Sequence, residues 1–176
     1  SYWKRLAGLD VGFNVTAAVF IAHDTQNDVV YVYDEYHGEK QNPASNAAGI
    51  RHRTGKWMPI MIDPASRGRS QVDGVKLITE YRKEDLDVRP ADNAVEAGIF
   101  AVWQRLQTGR LKIFKTCHHT LSEYETYQRD EHGKIVKRRD HQLDSLRYSI
   151  MGLAHAKLPY TEDPYGNYEY KNPYQF

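Results

Sequence analysis

Cysteine is almost absent from this sequence of 176 residues, in which Cys117 is the only one. A single thiol excludes an internal disulfide framework and a cysteine-rich zinc site, and it suits a reducing compartment. The sequence also lacks any apolar run near the roughly 20 residues that span a bilayer, and no signal peptide is visible. These absences lead us to expect no membrane partner.

An excess of charge of either sign is missing as well, since the formal net charge is +1. A near-neutral chain gives no global signal for binding nucleic acid, so any such surface must be a local patch. The sequence has no internal repeat and is long enough for one domain with a substantial core. It begins with serine rather than methionine, from which we expect a piece of a longer polypeptide.

The first quarter of the chain predicts three antiparallel strands. An apolar run, Lys4–Phe13, contains one carboxylate, Asp10, and a second apolar run, Thr16–Ala22, follows almost at once. Runs so closely joined predict a hairpin, and Val29–Tyr36 adds a third strand to make a meander. An acid in such a strand is costly unless it is paired. Its partner is either a metal cation or the turn amides near Gly12.

The remainder of the chain alternates between helical and strand-like patterns. Helical spacing occurs at Pro43–Arg53, Gln71–Arg82, Asn93–Gln107 and Asp140–Ala156, and strand-like runs occur at Trp57–Asp63, Leu86–Arg89 and Leu111–Phe114. The pattern predicts an α/β fold with a mixed sheet, in which parallel strands extend the antiparallel three-strand meander and helices cover both faces. We expect one domain over residues 1–157 and a tail rich in Tyr and Pro over residues 158–176.

Several single residues carry expectations of their own. Thr120 followed by Glu123 predicts a capping box at a helix start. Glu35, at the end of the third strand, could contribute to a metal cluster, but we expect it to face solvent or to pair with a lysine. Trp57 and Trp103 are expected in the core rather than as platforms for stacked bases.

Four carboxylates are predicted to meet at one edge of the sheet. Asp140 and Asp144 are four residues apart, so they share a face of the last helix, which borders its apolar stripe. Asp10 lies on a central strand, and Asp63 ends a strand predicted to be adjacent to it. The alternative interpretation makes Asp140 a helix N-cap and Asp144 a first-turn acid favoured by the helix dipole.

Carboxylates placed so closely repel one another and raise each other's pKa unless cations neutralise them. Ligation by oxygen alone indicates a hard ion, Mg²⁺ or Mn²⁺. Two such ions about 3.5–4 Å apart can activate a water and stabilise the leaving oxygen of a phosphodiester.

Three motifs in this order resemble a known family. Leu9–Gly12 on the first strand, Ile62–Asp63 ending the fourth, and Asp140–Tyr148 in the last helix, with the sequence DHQLDSLRY, resemble the nuclease domain of the large terminase subunit of tailed bacteriophages. That domain belongs to the ribonuclease-H-like superfamily, so the resemblance implies a ribonuclease-H-like mixed sheet. It covers about residues 4–157.

The resemblance also implies a role for each residue of the site. Asp10, Asp63 and Asp144 would be catalytic metal ligands, and Asp140 would be a further or water-mediated ligand. His141 occupies a position where some members of the family have a histidine close to the metal. Helical geometry, however, predicts that His141 points farther from the core than the acids. The implied cofactors are two Mg²⁺ or Mn²⁺ ions.

The implied activity is that of a metal-dependent DNA endonuclease that cuts concatemeric viral DNA in the host cell cytoplasm. Its implied partners are double-stranded DNA, the small terminase, the portal, and a packaging ATPase domain of the same polypeptide. No GxxxxGK[ST] loop occurs here, so this chain is not that motor. Basic residues flanking the acids are expected to hold the DNA backbone: Arg67, Arg69, Lys134, Lys137, Arg138 and Arg139. The polar stretch Glu125–Arg139 predicts either a mobile flap or a plain edge hairpin.

Two other classes remain open from the sequence. The pattern Asp10–Gly12 followed by an apolar strand also occurs in the phosphate-binding hairpin of actin-like and sugar-kinase-like ATPases. Those proteins need a second Asp-Gly phosphate motif and a glycine-rich adenosine loop, and neither is evident. The other class is a non-catalytic scaffold that only binds DNA or the portal protein.

Overall fold

The computed structural model describes residues 3–63, 71–134, 136 and 140–159. Within them lie the strands β1 (Lys4–Val11), β2 (Val15–Asp24), β3 (Val29–Glu39), β4 (Pro59–Ile62), β5 (Asp87–Pro90) and β6 (Leu111–Ile113). The α-helices are α1 (Pro43–Thr54), α2 (Gln71–Lys83), α3 (Val95–Gln107), α4 (His118–Thr126) and α5 (His141–Met151). A 3₁₀ turn, Leu153–His155, follows α5.

The strands form one mixed sheet in the order β5-β4-β1-β2-β3-β6. Strands β1, β2 and β3 are the antiparallel meander that the sequence predicts. Strand β4 pairs parallel with β1, β5 pairs parallel with β4, and β6 pairs parallel with β3. The predicted mixed sheet is therefore confirmed, and β1 lies inside it.

Helices cover both faces of this sheet, as predicted. On one face Leu6 packs in a buried cluster with Leu146 of α5. On the other face Leu9 packs in a second cluster with Ile50 of α1 and Tyr81 of α2. Side chains of a strand alternate between its two faces, so the side chain of Asp10 points to the same face as Leu6, toward α5.

Helix α5 lies unusually close to β1 because of one glycine. A Cβ atom added at Gly8 would come within 1.8 Å of the backbone carbonyl oxygen of Ser145. The absence of a side chain at Gly8 thus allows the first turns of α5 to sit directly on β1. This contact brings the helical acids to the end of the strand that carries Asp10.

Several sequence expectations are wrong in detail. The predicted capping box is absent, because α4 begins at His118 and the N–H and hydroxyl groups of Thr120 donate to the carboxylate of Glu35. Glu35 therefore neither faces solvent alone nor pairs with a lysine. Trp103 is 53% exposed rather than buried, whereas Trp57 packs partly buried against the core.

The last predicted helix is shorter than expected, since α5 ends at Met151 rather than near Ala156. Within the described part of the polar stretch before α5, the chain turns near Gly133: the N–H of Asp130 donates to the carbonyl of Lys134, at 2.8 Å, and Gly133 has a φ of +75°. In the part of the chain that the structure describes, no helix is both long and apolar enough to cross a membrane. The predicted tail lies outside the described residues from position 160 onward.

Candidate metal centre

Asp10 is the buried acid at the centre of the candidate site. It is the penultimate residue of β1, with 9% of its surface exposed. Its backbone N–H donates to Ser145 Oγ at 3.1 Å, and its Oδ2 lies 2.8 Å from His141 Nδ1. Burial raises the pKa of Asp10, the bond from His141 opposes that rise, and the charges of Asp144 and Asp63 add to it.

Asp63 follows β4 directly and lies beside the end of β1. Its backbone N–H donates to the carbonyl of Leu9 at 3.0 Å, which continues the parallel pairing of the two strands. The buried phenol of Tyr148 is influenced by the charges of three acids: burial raises its pKa, and the negative charges of Asp63, Asp144 and Asp10 raise it further. The charges of all three acids therefore act on the same buried phenol.

Asp144 lies in the first turn of α5 and is held by an arginine of the same helix. Its Oδ1 accepts hydrogen bonds from Arg147 Nε at 3.2 Å and from Arg147 Nη2 at 3.0 Å. The Arg147 side chain is buried, and its guanidinium lies 4.5 Å from the centre of the Tyr148 ring. The positive charge of Arg147 offsets part of the repulsion between the acids.

Asp140 occupies the N-cap position of α5, but its side chain forms no capping hydrogen bond. Its backbone carbonyl accepts the first helical bond, from the N–H of Asp144, at 2.8 Å. The His141 side chain is 34% exposed, against 13% for Asp10 and 20% for Asp144, so it lies farther from the core than these acids, as helical geometry predicts. Its ring nevertheless bonds to Asp10, because the close packing of α5 on β1 brings the helix start within reach of the strand, and this bond raises the pKa of His141.

The chemistry of this site fits a hard divalent cation. Asp10, Asp63 and Asp144 offer only carboxylate oxygens, which Mg²⁺ and Mn²⁺ prefer. In the described part of the chain, no three His, Cys, Asp or Glu side chains are arranged to hold a metal ion as they stand. Two of the carboxylates are bonded instead to His141 and Arg147, each through one oxygen.

The predicted DNA contacts are only partly described. Lys134 is exposed at the turn of the hairpin, where its N–H donates to Asp130 Oδ1 at 2.8 Å. The other five basic residues lie outside the described residues: Arg67, Arg69, Lys137, Arg138 and Arg139.

Sequence reasoning missed three residues that support the site. Ser145 bonds to the backbone of Asp10, Arg147 bonds to Asp144, and Glu123 bonds to the start of α5. The spacing of three residues between Asp144 and Arg147 was an available signal for an ion pair on one helix. Glu123 gave no such signal, since its partners are 19 and 20 positions away.

Most of the chain matches one protein family. The model of the Terminase RNaseH-like domain family matches residues 7–153. The large terminase subunit of Salmonella phage P22 is 29% identical over 157 residues, 85% of this chain and 31% of that protein. The large terminase subunit of Enterobacteria phage LP7 is 30% identical over 150 residues, 81% of this chain and 31% of that protein. The chain thus spans about a third of the length of these relatives.

Solved structures agree with this result. The nuclease domain of the P22 large terminase superposes with a TM-score of 0.83 at 26% identity, over 89% of this chain and 84% of that one. Two others share the fold at lower identity. The nuclease domain of the phage SPP1 large terminase, with bound Mn, is 17% identical with a TM-score of 0.63, over 82% of this chain and 84% of that one. The large terminase nuclease of phage G20c, with bound magnesium, is 16% identical with a TM-score of 0.60, over 84% of this chain and 80% of that one. The ribonuclease-H-like fold and the resemblance drawn from the sequence motifs are confirmed.

Proposed function

This chain belongs to the family of terminase RNaseH-like domains, and from that premise we propose that it is the metal-dependent endonuclease of a phage DNA-packaging terminase. Its substrate is concatemeric viral DNA, which it cuts by attack of water on the phosphodiester. One observation carries the proposal. The parallel strands β1 and β4 end side by side at Asp10 and Asp63, and α5, which carries Asp144, bonds to Asp10 through Ser145 and His141.

The proposed cofactors are two Mg²⁺ or Mn²⁺ ions held by Asp10, Asp63 and Asp144, with Asp140 as a further or water-mediated ligand. Bound ions of this kind activate a water and stabilise the leaving oxygen of a phosphodiester. The Mn and magnesium bound in the SPP1 and G20c nuclease domains support this choice. His141, at 2.8 Å from Asp10, is placed to orient that carboxylate.

The other residues of the site keep the acids in place. Ser145 fixes the backbone of Asp10 against α5, and Arg147 fixes one oxygen of Asp144. Both supporting groups are buried, so water does not compete for these bonds. The protein therefore supplies preorganised carboxylates, and no covalent intermediate between enzyme and DNA is required.

The proposed DNA contacts come from basic residues near the acids in the sequence. Lys134, Lys137, Arg138 and Arg139 precede α5 along the chain, and Arg67 and Arg69 follow β4. Contacts of these cations with phosphates would carry no sequence information and would weaken as salt rises. Binding of the inactive Asp10→Asn variant to duplex DNA at increasing salt measures this contribution.

The remaining proposals concern the whole protein. As a large terminase, it would carry the packaging ATPase in another part of the polypeptide, and it would work with the small terminase and the portal in the host cytoplasm. Both of the relatives from phages P22 and LP7 are large subunits of terminases, which supports these proposals. Co-purification of the full-length subunit with portal and small terminase tests it.

The decisive experiment is cleavage of plasmid DNA with Mn²⁺ or Mg²⁺. Asp10→Asn, Asp63→Asn and Asp144→Asn should each lower the rate by at least about 100-fold, because each removes a ligand charge needed at the metal. Each variant should stay folded, since removing one of several clustered acids relieves repulsion. The matched control is Asp85→Asn, at an acid paired with Lys56 outside the cluster.

A chelator should stop cleavage by the wild-type domain and by the Asp85→Asn control. Cleavage at the wild-type rate by any one of the three cluster variants would remove that residue from the site. A wild-type domain that never cuts but is stabilised by ATP would favour the ATPase class. One that binds DNA without cutting it would favour the scaffold.

A further inference from the structure

Helix α5 begins without a cap of its own. The first N–H groups of any α-helix have no partner within the helix, and a side chain at the N-cap position usually supplies one. Helix α1 follows this rule, since Asn42 Oδ1 accepts from the N–H of Ser45 at 2.9 Å. Asp140 holds the same position in α5 and makes no such bond. The carboxylate of Asp140 is therefore not used for capping.

A residue of another helix supplies the missing cap. Glu123 of α4 places its Oε2 2.7 Å from the backbone N of Gln142 and 3.2 Å from that of Leu143. Both N–H groups belong to the first turn of α5, where the helix dipole favours a negative charge. Glu123 is 7% exposed, and burial raises its pKa to about 7. An acid kept in so unfavourable an environment needs a strong local partner, and these two N–H groups are that partner.

The cap acts on the turn that carries the proposed ligands. Gln142 and Leu143 lie between His141 and Asp144, so a shift of their backbone moves both neighbours. On the side of Gln142 that faces the sheet, its Nε2 donates to the carbonyl of Tyr36 on β3 at 2.9 Å. The first turn of α5 is thus fixed from α4 as well as from the sheet.

We propose that Glu123 is a positioning residue of the metal centre: its carboxylate caps α5 from α4, which leaves Asp140 free for the metal and sets the place of His141 and Asp144 relative to Asp10. The inference rests on the proposed function, because it assigns Glu123 to the same metal site. Groups that orient the ligands of a metal typically change its affinity about 10- to 100-fold when removed.

The chain offers a matched control for an ordinary structural cap. Glu35 of β3 caps α4 by the same chemistry, with its Oε1 accepting from the N–H of His119 at 2.8 Å and its Oε2 from that of Thr120 at 2.9 Å. β3 lies two strands away from β1. Helix α4 carries Glu123 but none of the proposed ligands, and loss of the Glu35 bonds removes neither of the two bonds from Glu123 to α5. Loss of either cap should reduce stability, but only loss of the Glu123 cap should disturb the metal centre.

The experiment measures Mn²⁺ affinity by electron paramagnetic resonance for the wild type, Glu123→Ala, Glu35→Ala and Glu123→Gln, with a thermal melt of each. Glu123→Ala should weaken Mn²⁺ binding at least about tenfold, and Glu35→Ala less than about twofold, although both lower the melting temperature. Glu123→Gln should bind Mn²⁺ within about threefold of the wild type, because its amide oxygen still accepts from the same N–H groups.

Equal effects of Glu123→Ala and Glu35→Ala on Mn²⁺ affinity, or no effect of either, would overturn the inference. If the alanine variants fail to fold, Glu123→Asp and Glu35→Asp take their place, since one methylene less moves the carboxylate away from the N–H groups. If the wild-type domain binds Mn²⁺ but does not cut DNA, only the proposed nuclease activity is overturned. The role of Glu123 would then still be tested by the Mn²⁺ affinities of the variants. Wild-type domain that binds no Mn²⁺ would overturn both.

Discussion

At the scale of single residues, the acids of the site are held by bonds from their own surroundings. His141 bonds to Asp10 of β1, Arg147 bonds to Asp144 of α5, and both partners lie on α5. A buried carboxylate without such a partner would be strongly destabilising. These two bonds explain how the carboxylates remain close together in the folded chain.

Ser145 offers a residue-scale prediction about stability. Its Oγ accepts from the N–H of Asp10 and lies 2.9 Å from the carbonyl of Ala17. Ser145→Ala should lower the free energy of unfolding by about 1–3 kcal/mol, because it leaves a buried backbone group without its partner. It should also slow DNA cleavage, since Asp10 loses its tie to α5. Urea denaturation and the plasmid assay measure the two effects.

The matched control for Ser145 is Ser149, which is equally buried on the same helix. Its hydroxyl donates to the carbonyl of Leu146, within α5 itself. Ser149→Ala should leave cleavage close to the wild-type rate and cost less stability. The same loss of cleavage in both variants would contradict a specific role for Ser145.

At the scale of elements, the close packing of α5 against β1 determines the geometry of the site. Gly8→Ala should lower the free energy of unfolding by about 2 kcal/mol or more, because the new Cβ meets a backbone carbonyl that cannot move without shifting the helix. The shift should also lower Mn²⁺ affinity. Urea denaturation followed by circular dichroism, with a parallel Mn²⁺ titration, tests both expectations.

Gly152→Ala is the control for this prediction. A Cβ at Gly152 meets Met61 Cγ at 2.5 Å, in the flexible side chain of a methionine, and its nearest backbone atom is the carbonyl oxygen of Tyr148 at 3.1 Å, against 1.8 Å for the carbonyl at Gly8. The helix need not move, so the loss of stability should be smaller and Mn²⁺ affinity should stay unchanged. A larger loss for Gly152→Ala than for Gly8→Ala would show that close packing at Gly8 is not the decisive contact.

Helix starts were the elements least accessible to sequence reasoning. Glu35 and Glu123 both cap helices to which they do not belong, across separations of 84 and 19 residues for the first bond of each. Capping rules look for a partner within about three residues along the chain. The pattern at Thr120 and Glu123 therefore predicted a local box, whereas both residues are engaged with other elements.

At the scale of the whole molecule, one contact closes the described domain. Lys157 exchanges backbone hydrogen bonds with Arg5 at the start of β1, at 2.6 and 3.0 Å, and its Nζ lies 3.0 Å from Asp87. This contact joins the end of the described chain to the sheet. The domain boundary expected near position 157 stays a prediction.

Two truncations test that boundary. A chain ending at Pro159 should melt at the wild-type temperature, because every described strand and helix is retained. A chain ending at Ala156 should melt about 4 °C lower, since it loses two backbone hydrogen bonds worth about 1 kcal/mol each. Thermal melts by circular dichroism compare the three chains. A large loss of stability on truncation at Pro159 would place part of the domain in residues 160–176.

Local sequence patterns were sufficient to predict the layers of the fold and to identify the candidate acids. Periods of two and of 3.6 residues are properties of local segments, so the meander, the parallel strands and the helices on both faces could be predicted from them. The spacing of Asp140 and Asp144 likewise follows from one helix. The bond of His141 to Asp10 and the cap that Glu123 provides for α5 could not be predicted in this way. These bonds join segments far apart in the chain, and they depend on how closely α5 packs against β1, a distance that no local pattern encodes.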